Sequence, residues 1–297
     1  MSSESLPYTM PNLAGKVFTV TGGNAGIGKE TVIGLASYNA RVYMDVRYLP
    51  LDLSSLDSVS KAAQIVLKNE TALHGLVNNA GTMGVPYSET EDGYEVQFQT
   101  NYLAHFLFTK LLLSLLLSTA DSSGSGDVRI VNVTSDGHQL FENKGGICFD
   151  DIQLKAASSM KRYGQSKLAN ILHIKELNRM FGPESQSDNG KIWVAAVHPG
   201  HISTELGKKA TGVAPAYVLR TMRLATRLLK VLDDPKKGAF STLWAIACQG
   251  FDESKSGAYV IPYMKIGKSS KYAMDEALAS KLWNWTTDQL EQSGFLG

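Results

Sequence analysis

Cysteine is scarce in this chain. Cys148 and Cys248 are the only two among 297 residues. That is too few for a disulfide framework, and they read as buried thiols in a reducing compartment. A charge excess is missing as well. The 29 Lys and Arg face 28 Asp and Glu, a formal +1, which gives no footing for nucleic acid or an anionic membrane. No apolar run reaches the roughly 18 residues of a membrane span. The greasiest stretch, Leu103 to Leu117 with its LLLSLLL, is shorter and carries His105 and Lys110, so it reads as a buried helix. The opening MSSESLPYTM has neither the basic region nor the apolar run of a signal peptide, and the expected location is cytoplasmic. His138, His173, His198 and His201 show no ligand spacing with Cys or carboxylates, so no metal site is expected.

What is present is a core. Hydrophobic residues make up 43% of the chain and charged ones 19%, which excludes disorder and allows one large domain. Val- and Ile-rich runs alternate with helix-like segments. KVFTV (16–20), RVYM (41–44), the run ending HGLVNNAG (74–81), DVRIVNVTS (127–135), KIWVAAVHPG (191–200) and GAYVIPY (257–263) read as strands. Helical spacing covers about Lys29 to Tyr38, LDSVSKAAQIVLKN (56–69), Tyr94 to Ser118, Tyr163 to Met180, Pro235 to Cys248 and Asp275 to Leu290. Such alternation, with strands apolar almost throughout, indicates an α/β fold: a Rossmann-like doubly wound parallel sheet, covered on both faces. Residues 1–12 are expected to be a flexible tail and 13–297 a single domain. Within it, 201–232 lacks clean periodicity and is expected to be a substrate lid over the carboxyl ends of the strands.

Thr21-Gly22-Gly23-Asn24-Ala25-Gly26-Ile27-Gly28 follows a strand and opens a helix. Glycines let the backbone turn tightly and approach a pyrophosphate. The helix start then offers free N–H donors and the positive end of its dipole.

On these residues the chain resembles the short-chain dehydrogenase/reductase family. TGGNAGIG looks like the family's cofactor loop, with Gly22, Asn24, Gly26, Ile27 and Gly28 at the cofactor. Asn78-Asn79-Ala80-Gly81 looks like the motif closing its fourth strand, which assigns Asn79, Ala80 and Gly81 to the cofactor as well. The resemblance further implies an active-site Asn101, a catalytic Ser135 at a strand end, and Tyr163-Gly-Gln-Ser-Lys167 as the Tyr-x-x-x-Lys motif. Pro199-Gly200 and Thr204 fall where members contact the nicotinamide. GNAGIGKET, NYLAHF and YGQSKLANILH look most like the retinol-dehydrogenase and WW-domain-oxidoreductase branch.

The chemistry of these residues points the same way. Tyr163 and Lys167 are four apart on a helix and share a face. A free phenol has a pKa of about 10. A neighbouring ammonium favours phenolate, and lowering the pKa by ~3 units needs roughly 4 kcal/mol of differential stabilisation. Ser135 is expected to donate to a substrate carbonyl oxygen that grows more negative as hydride arrives. Tyr163 is expected to give the proton, Lys167 also to bind cofactor ribose, and Asn101 to hold a water that replaces the proton.

One segment departs from the pattern. Parallel neighbours need a crossover of a dozen or more residues, yet only Asp45 and Val46 separate RVYM from RYLPLDL (47–53). Family members carry about twenty more residues here. RVYMDVRYLPLDL is either one long strand or a strand and a loop leading to Asp52. In both cases the sheet loses an edge strand and its covering crossover helix. This segment normally reads the adenosine half of the cofactor. Lys29 and Arg47 favour NADP(H), Asp45 keeps NAD possible, and Asp52 resembles a residue at the adenine.

The expected function is an NADP(H)-dependent oxidoreductase that transfers hydride to or from a carbonyl or alcohol of a small, fairly apolar molecule. The alternative is a cofactor-impaired or non-catalytic truncated relative. An epimerase using the same Tyr–Lys pair is a further reading. LLLSLLL in the Asn101–Leu117 helix is apolar on every side, and the resemblance implies that this helix and Tyr163–Met180 pair across the two-fold of a homodimer.

Overall fold

The computed structural model describes residues 8–43, 49–186, 191–202, 210–213 and 233–297. Four apolar strands form the middle of the sheet, and every residue in them is buried: β1 (Val17–Val20), β3 (Gly75–Asn78), β4 (Arg129–Val133) and β5 (Trp193–Val197). β2 (Arg41–Tyr43), β6 (Ala258–Ile261) and β7 (Lys265–Ile266) complete it in the order β2-β1-β3-β4-β5-β6-β7. All pairs are parallel except β6 with β7. From β1 the chain moves outward to β2, then back across to β3. The strand order therefore reverses between β1 and β3, and such switch points open a crevice above the carboxyl ends of the strands.

Helices cover both faces. α1 (Gly26–Ala36) and α5 (Pro235–Ala247) pack on one, over a core that includes Phe18, Val77, Val131 and Leu243. α2 (Leu56–Asn69), α3 (Val96–Ser122) and α4 (Ser159–Phe181) pack on the other, with Leu76, Phe106, Ile130 and Leu172 between. α3 is long and apolar enough to cross a membrane by length and composition, but 67% of its apolar window is buried inside the protein. Within LLLSLLL itself Leu112, Leu113 and Leu116 are buried, while Leu111, Leu115 and Leu117 are half-buried. α6 (Glu276–Gln292) lies across α4, with the Trp283 ring 4.8 Å from Phe106 and 5.7 Å from His173. The face of α4 on which a dimer is expected is thus covered from within the chain.

The sheet edge is shortened as the sequence implies. Among the described residues no strand lies beyond β2. Residues 49–55 run as loop and turn into α2, whose first turn is capped by Ser55. Glu70, just past α2, accepts from Arg41 at 3.1 Å and from the Tyr43 hydroxyl at 2.7 Å, which holds the short edge strand against the helix end.

Two expectations change. The strand at 257–263 is followed by β7, which turns back through Met264 in a left-handed conformation, φ +61°. The tail is not loose up to residue 12: Met10 is buried against the Cys248 thiol, their sulfurs 3.0 Å apart, and Tyr8 meets the edge of Phe240. The apolar residues in that stretch simply complete the core, and residues 1–7 lie outside the described ones. Of the expected lid, 203–209 and 214–232 also lie outside. Its described piece, 210–213, rests on the loop after β3, with the Gly212 N–H donating to the Gly84 carbonyl at 2.7 Å.

Candidate active site

The glycine loop sits where β1 ends at the switch point. Gly22 is left-handed, φ +65°, and a Cβ there would come within 3.0 Å of the Ala80 Cβ. A Cβ on Gly28 would collide with the Gly22 carbonyl oxygen and come within 2.5 Å of Asn79 Nδ2. Both positions therefore require glycine. Thr21 binds the loop to β3: its hydroxyl accepts the Asn79 and Ala80 N–H groups at 2.9 and 3.0 Å, and Asn79 Nδ2 donates to the Thr21 carbonyl at 2.8 Å. α1 starts at Gly26 with no side-chain cap and no acidic residue in its first turn. By contrast, Ser55, Ser158, Asp234 and Asp275 cap α2, α4, α5 and α6. The first N–H groups of α1 are left open to an anion.

Opposite the loop, the end of β4 meets α4. Thr134 Oγ1 donates to the Lys167 carbonyl at 2.7 Å, and Lys167 Nζ donates to the Val133 carbonyl at 3.0 Å. Gly137 and Gly164 allow the close approach: a Cβ on Gly137 would lie 2.8 Å from the Tyr163 ring, and one on Gly164 would lie 2.7 Å from the Phe141 carbonyl oxygen. Ser135 Oγ accepts the Gly137 N–H and donates to Asp136 Oδ1, each at 3.0 Å. Lys167 Nζ stands 5.7 Å from the centre of the Tyr163 ring. A cleft of about 640 Å³ runs between the two walls. Gly22, Asn24, Gly26, Ile27, Asn79, Ala80 and Gly81 line it on one side, and Ser135, Tyr163, Lys167, Pro199 and Gly200 on the other.

Burial raises the Tyr163 pKa to about 12, against a hydrogen bond from Ser135 that lowers it. Burial also takes the Lys167 ammonium down to about 8. Tyr163 is thus a neutral phenol at neutral pH.

The short chain dehydrogenase family model matches residues 43–144. The chain is 44% identical to the short-chain dehydrogenase/reductase drtF of Aspergillus calidoustus, over 98% of this chain and 99% of that protein. It is 35% identical to retinol dehydrogenase 11 of Mus musculus, over 98% and 91%. The chain belongs to the short-chain dehydrogenase/reductase family. It is an oxidoreductase acting on CH–OH and C=O groups. A crystal structure of an uncharacterized protein from Mycobacterium paratuberculosis superposes with a TM-score of 0.69 at 28% identity, covering 95% of this chain and 96% of that one. The NADPH-bound carbonyl reductase from chicken fatty liver shares the fold, with a TM-score of 0.58 at 20% identity and coverage of 86% and 100%. The drtF alignment runs over 317 positions, more than the 297 residues of this chain, so that relative carries residues this one lacks.

Not every expected residue of this dehydrogenase/reductase reaches the cleft. Asn101 lies in a π-helical turn of α3, Gln99–Leu103, and is fully buried. Its amide is used up: Nδ2 donates to the Thr82 carbonyl and to Ser166 Oγ, each at 2.9 Å, and Oδ1 accepts the Thr82 N–H at 2.7 Å. It does not line the cleft, and it holds the wall behind Lys167 instead. Gly28 likewise acts by packing. The Asp52 carboxylate accepts the Ser54 N–H and hydroxyl at 2.9 and 2.7 Å, away from the lining residues. Asp45, Arg47 and Thr204 lie outside the described residues.

Other residues of the site carry no sequence motif. Met83, Leu140, Phe141, Met160 and Ile202 add apolar lining, and Asp136, His198 and His201 line it too. A buried ion pair, Glu95 with Arg162 at 3.2 Å, joins the start of α3 to the residue before Tyr163. Among the described residues no cluster of His, Cys, Asp and Glu fits a metal ion.

The residues present fit a nicotinamide dinucleotide. The glycine cradle leaves no room for a Cβ, the start of α1 is uncapped, and the buried Lys167 has only a backbone carbonyl as hydrogen-bond partner.

Proposed function

We propose that the protein is an NADP(H)-dependent carbonyl reductase and alcohol dehydrogenase for a small, fairly apolar substrate. The observation that carries this reading is one cleft with the glycine loop on one wall and Ser135, Tyr163 and Lys167 on the other. Gly22, Asn24, Gly26 and Ile27 would hold the pyrophosphate, with the open N–H groups of α1 behind them. Asn79, Ala80, Gly81, Pro199, Gly200 and Thr204 would border the nicotinamide end. Lys29 and Arg47 are the cations available to a 2′-phosphate. The bound nicotinamide supplies or takes the hydride. Ser135 orients the substrate oxygen, and Tyr163 Oη gives that oxygen its proton in the reductive direction. Lys167 keeps a positive charge beside the phenol and binds ribose hydroxyls. The apolar side chains in the lining suit a hydrocarbon body, in keeping with the alcohol named for the mouse relative.

The test is fluorescence titration with NADPH and NADH, followed by NADPH oxidation in the presence of a panel of aromatic and aliphatic aldehydes and ketones. NADPH binding with turnover of apolar aldehydes is expected. Absence of binding to either cofactor would favour the cofactor-impaired relative, for which the shortened edge speaks. A homodimer through α3 and α4 is the weaker proposal, because α6 already covers α4. It requires a light-scattering mass near twice 32.2 kDa.

A further inference from the structure

Ser135 stands where the chain leaves the sheet. The Thr134 N–H still donates to the Val197 carbonyl at 2.8 Å, and after it the chain turns into the short helix Gly137–Leu140. The Ser135 proton, directed to Asp136 Oδ1, reaches a substrate oxygen by rotation about Cβ–Oγ. Asp136 Oδ2 in turn lies 3.0 Å from His201 Nε2. Rotation moves the proton but not Oγ, whose place is set by the Ser135 backbone.

His138, three residues on, holds that backbone. Its Nδ1 lies 2.6 Å from the Ser135 carbonyl oxygen, and its Nε2 lies 3.2 Å from the Ser270 nitrogen. A carbonyl only accepts and a backbone N–H only donates. The ring therefore carries its hydrogen on Nδ1 and a lone pair on Nε2, and this one neutral tautomer serves both partners. The ring is buried, which lowers its pKa and keeps it neutral, and it meets Tyr259 edge to face at 5.1 Å. The same carbonyl accepts the His138 N–H at a longer 3.3 Å, so the side chain is the closer donor. Ser270 is 132 positions from His138. The ring thus ties Ser135 to the chain beyond β7. His138 is absent from the cleft lining and reaches the reaction only through Ser135.

We propose that His138 is a positioning residue for the reaction: by donating from Nδ1 to the Ser135 carbonyl, it fixes where Ser135 presents its hydroxyl to the substrate oxygen. This rests on the reading of Ser135 as the residue that orients that oxygen. Hydrogen bonds weaken steeply as their geometry degrades. A donor aimed at developing charge acts only if it is already in place, so a loosened Ser135 is felt in turnover more than in cofactor binding. The rival role for His138 is to fasten the Ser270 segment to the core, and the two ring nitrogens allow the roles to be separated.

The experiment uses one variant for each nitrogen. In His138→Asn the amide nitrogen takes about the place of Nδ1, which keeps the donor to Ser135 and leaves the Ser270 N–H without an acceptor. In His138→Gln the amide oxygen takes about the place of Nε2, which keeps Ser270 and loses the donor to Ser135. Benzaldehyde reduction with NADPH, NADPH affinity and melting temperature are measured for both. We expect His138→Gln to lower kcat by about tenfold to a hundredfold with affinity and melting temperature near those of the unaltered protein. His138→Asn should keep most of kcat and melt at a lower temperature. An unchanged kcat in His138→Gln, or a kcat that follows melting temperature across the two variants, overturns the proposal. A Ser135→Ala background checks the route: adding His138→Gln there should cost nothing further, and a second fall of the same size overturns the proposal. The unaltered protein with ¹⁵N-labelled histidine should show by NMR a His138 ring with its hydrogen on Nδ1, identified by its loss in either variant. A hydrogen on Nε2 overturns the proposal whatever the variants do. If Ser135→Ala turns over as fast as the unaltered protein, the reading of Ser135 fails and the proposal with it; if Ser135→Ala is impaired and His138→Gln is not, the proposal alone fails.

Discussion

Thr21 Oγ1 lies 2.9 Å from His105 Nε2, and that contact decides the protonation of a fully buried imidazole. The Thr21 oxygen already accepts the N–H groups of Asn79 and Ala80. Both lone pairs are used, so its proton goes to Nε2. The ring hydrogen is then on Nδ1, which donates to the Asn101 carbonyl at 3.1 Å. One neutral ring joins the end of β1, the loop after β3 and the π turn of α3.

That ring gives stability a pH dependence. Burial lowers the His105 pKa to about 4, while an unfolded histidine titrates near 6.5. Between those values the unfolded chain binds a proton that the folded one does not, so stability is full above 6.5 and is lost as pH falls. The loss at pH 5 is about 2 kcal/mol from this residue. Urea unfolding at pH 7.5 and 5.0 measures it, and His105→Gln should flatten the difference by that amount.

Tyr163→Phe should abolish turnover and leave the fold intact. The ring still fills its buried place between Gly137 and Ser135, but the transferable proton is gone. Melting temperature and NADPH binding should stay near those of the unaltered protein. Near-normal turnover would remove the proposed mechanism.

Lys167→Met should stabilise the protein and inactivate it. The ammonium is buried with only the Val133 carbonyl to receive a proton, and its pKa falls to about 8. The folded value lies below the unfolded one of about 10.4, so the penalty is fully present at pH 7 and fades as pH rises through 8. Its removal should add about 1–3 kcal/mol at neutral pH, after the lost hydrogen bond is counted. Calorimetry and a turnover assay read the two effects separately, and an unchanged or lower melting temperature would contradict this account.

Gly28→Ala should disable cofactor binding. The new methyl meets the Gly22 carbonyl and Asn79 Nδ2, so the loop must move away from the position it holds under Thr21. A loss of NADPH affinity of at least about tenfold is expected, or about 1.4 kcal/mol. Gly15→Ala is the control: it is strained by a backbone at φ +81° rather than by a collision, has open space around it and lies away from the cleft. It should affect stability alone.

Insertion of a relative's twenty-odd residues after Val46 should tighten NADPH binding. The pyrophosphate and nicotinamide ends of the cleft are present without them. One recovered charge-assisted contact on the adenosine side is worth about 1.5–3 kcal/mol, or roughly tenfold to a hundredfold. The melting temperature should rise too, because an uncovered edge strand exposes unpaired backbone. If neither changes, the shortened segment already performs that work.

Much of the fold is legible in the chain because its signals are local. Apolar runs such as WVAAV become fully buried strands, and the two residues between RVYM and RYLPLDL are too few for a crossover whatever surrounds them. Glycine placement at 22 and 28 and the four-residue step from Tyr163 to Lys167 are likewise properties of a short segment. The packed end of the tail is less legible, because Met10 finds its place only once Cys248 is beside it.

The class of fold, the shortened edge and the residues of the Tyr–Lys motif follow from the chain alone, since backbone geometry over a few residues is enough to dictate each. How those residues are charged and oriented depends instead on contacts between distant parts of the chain. The Asp136–His201 pair joins positions 65 apart, the Thr21–His105 contact positions 84 apart, and both depend on which strand ends the sheet brings together. The raised Tyr163 hydroxyl depends on how completely the ring is buried. Asn101 carries the motif's residue type at the expected place, yet neighbours from α4 and the loop after β3 occupy its amide and turn it from a group facing the cleft into one that holds the wall.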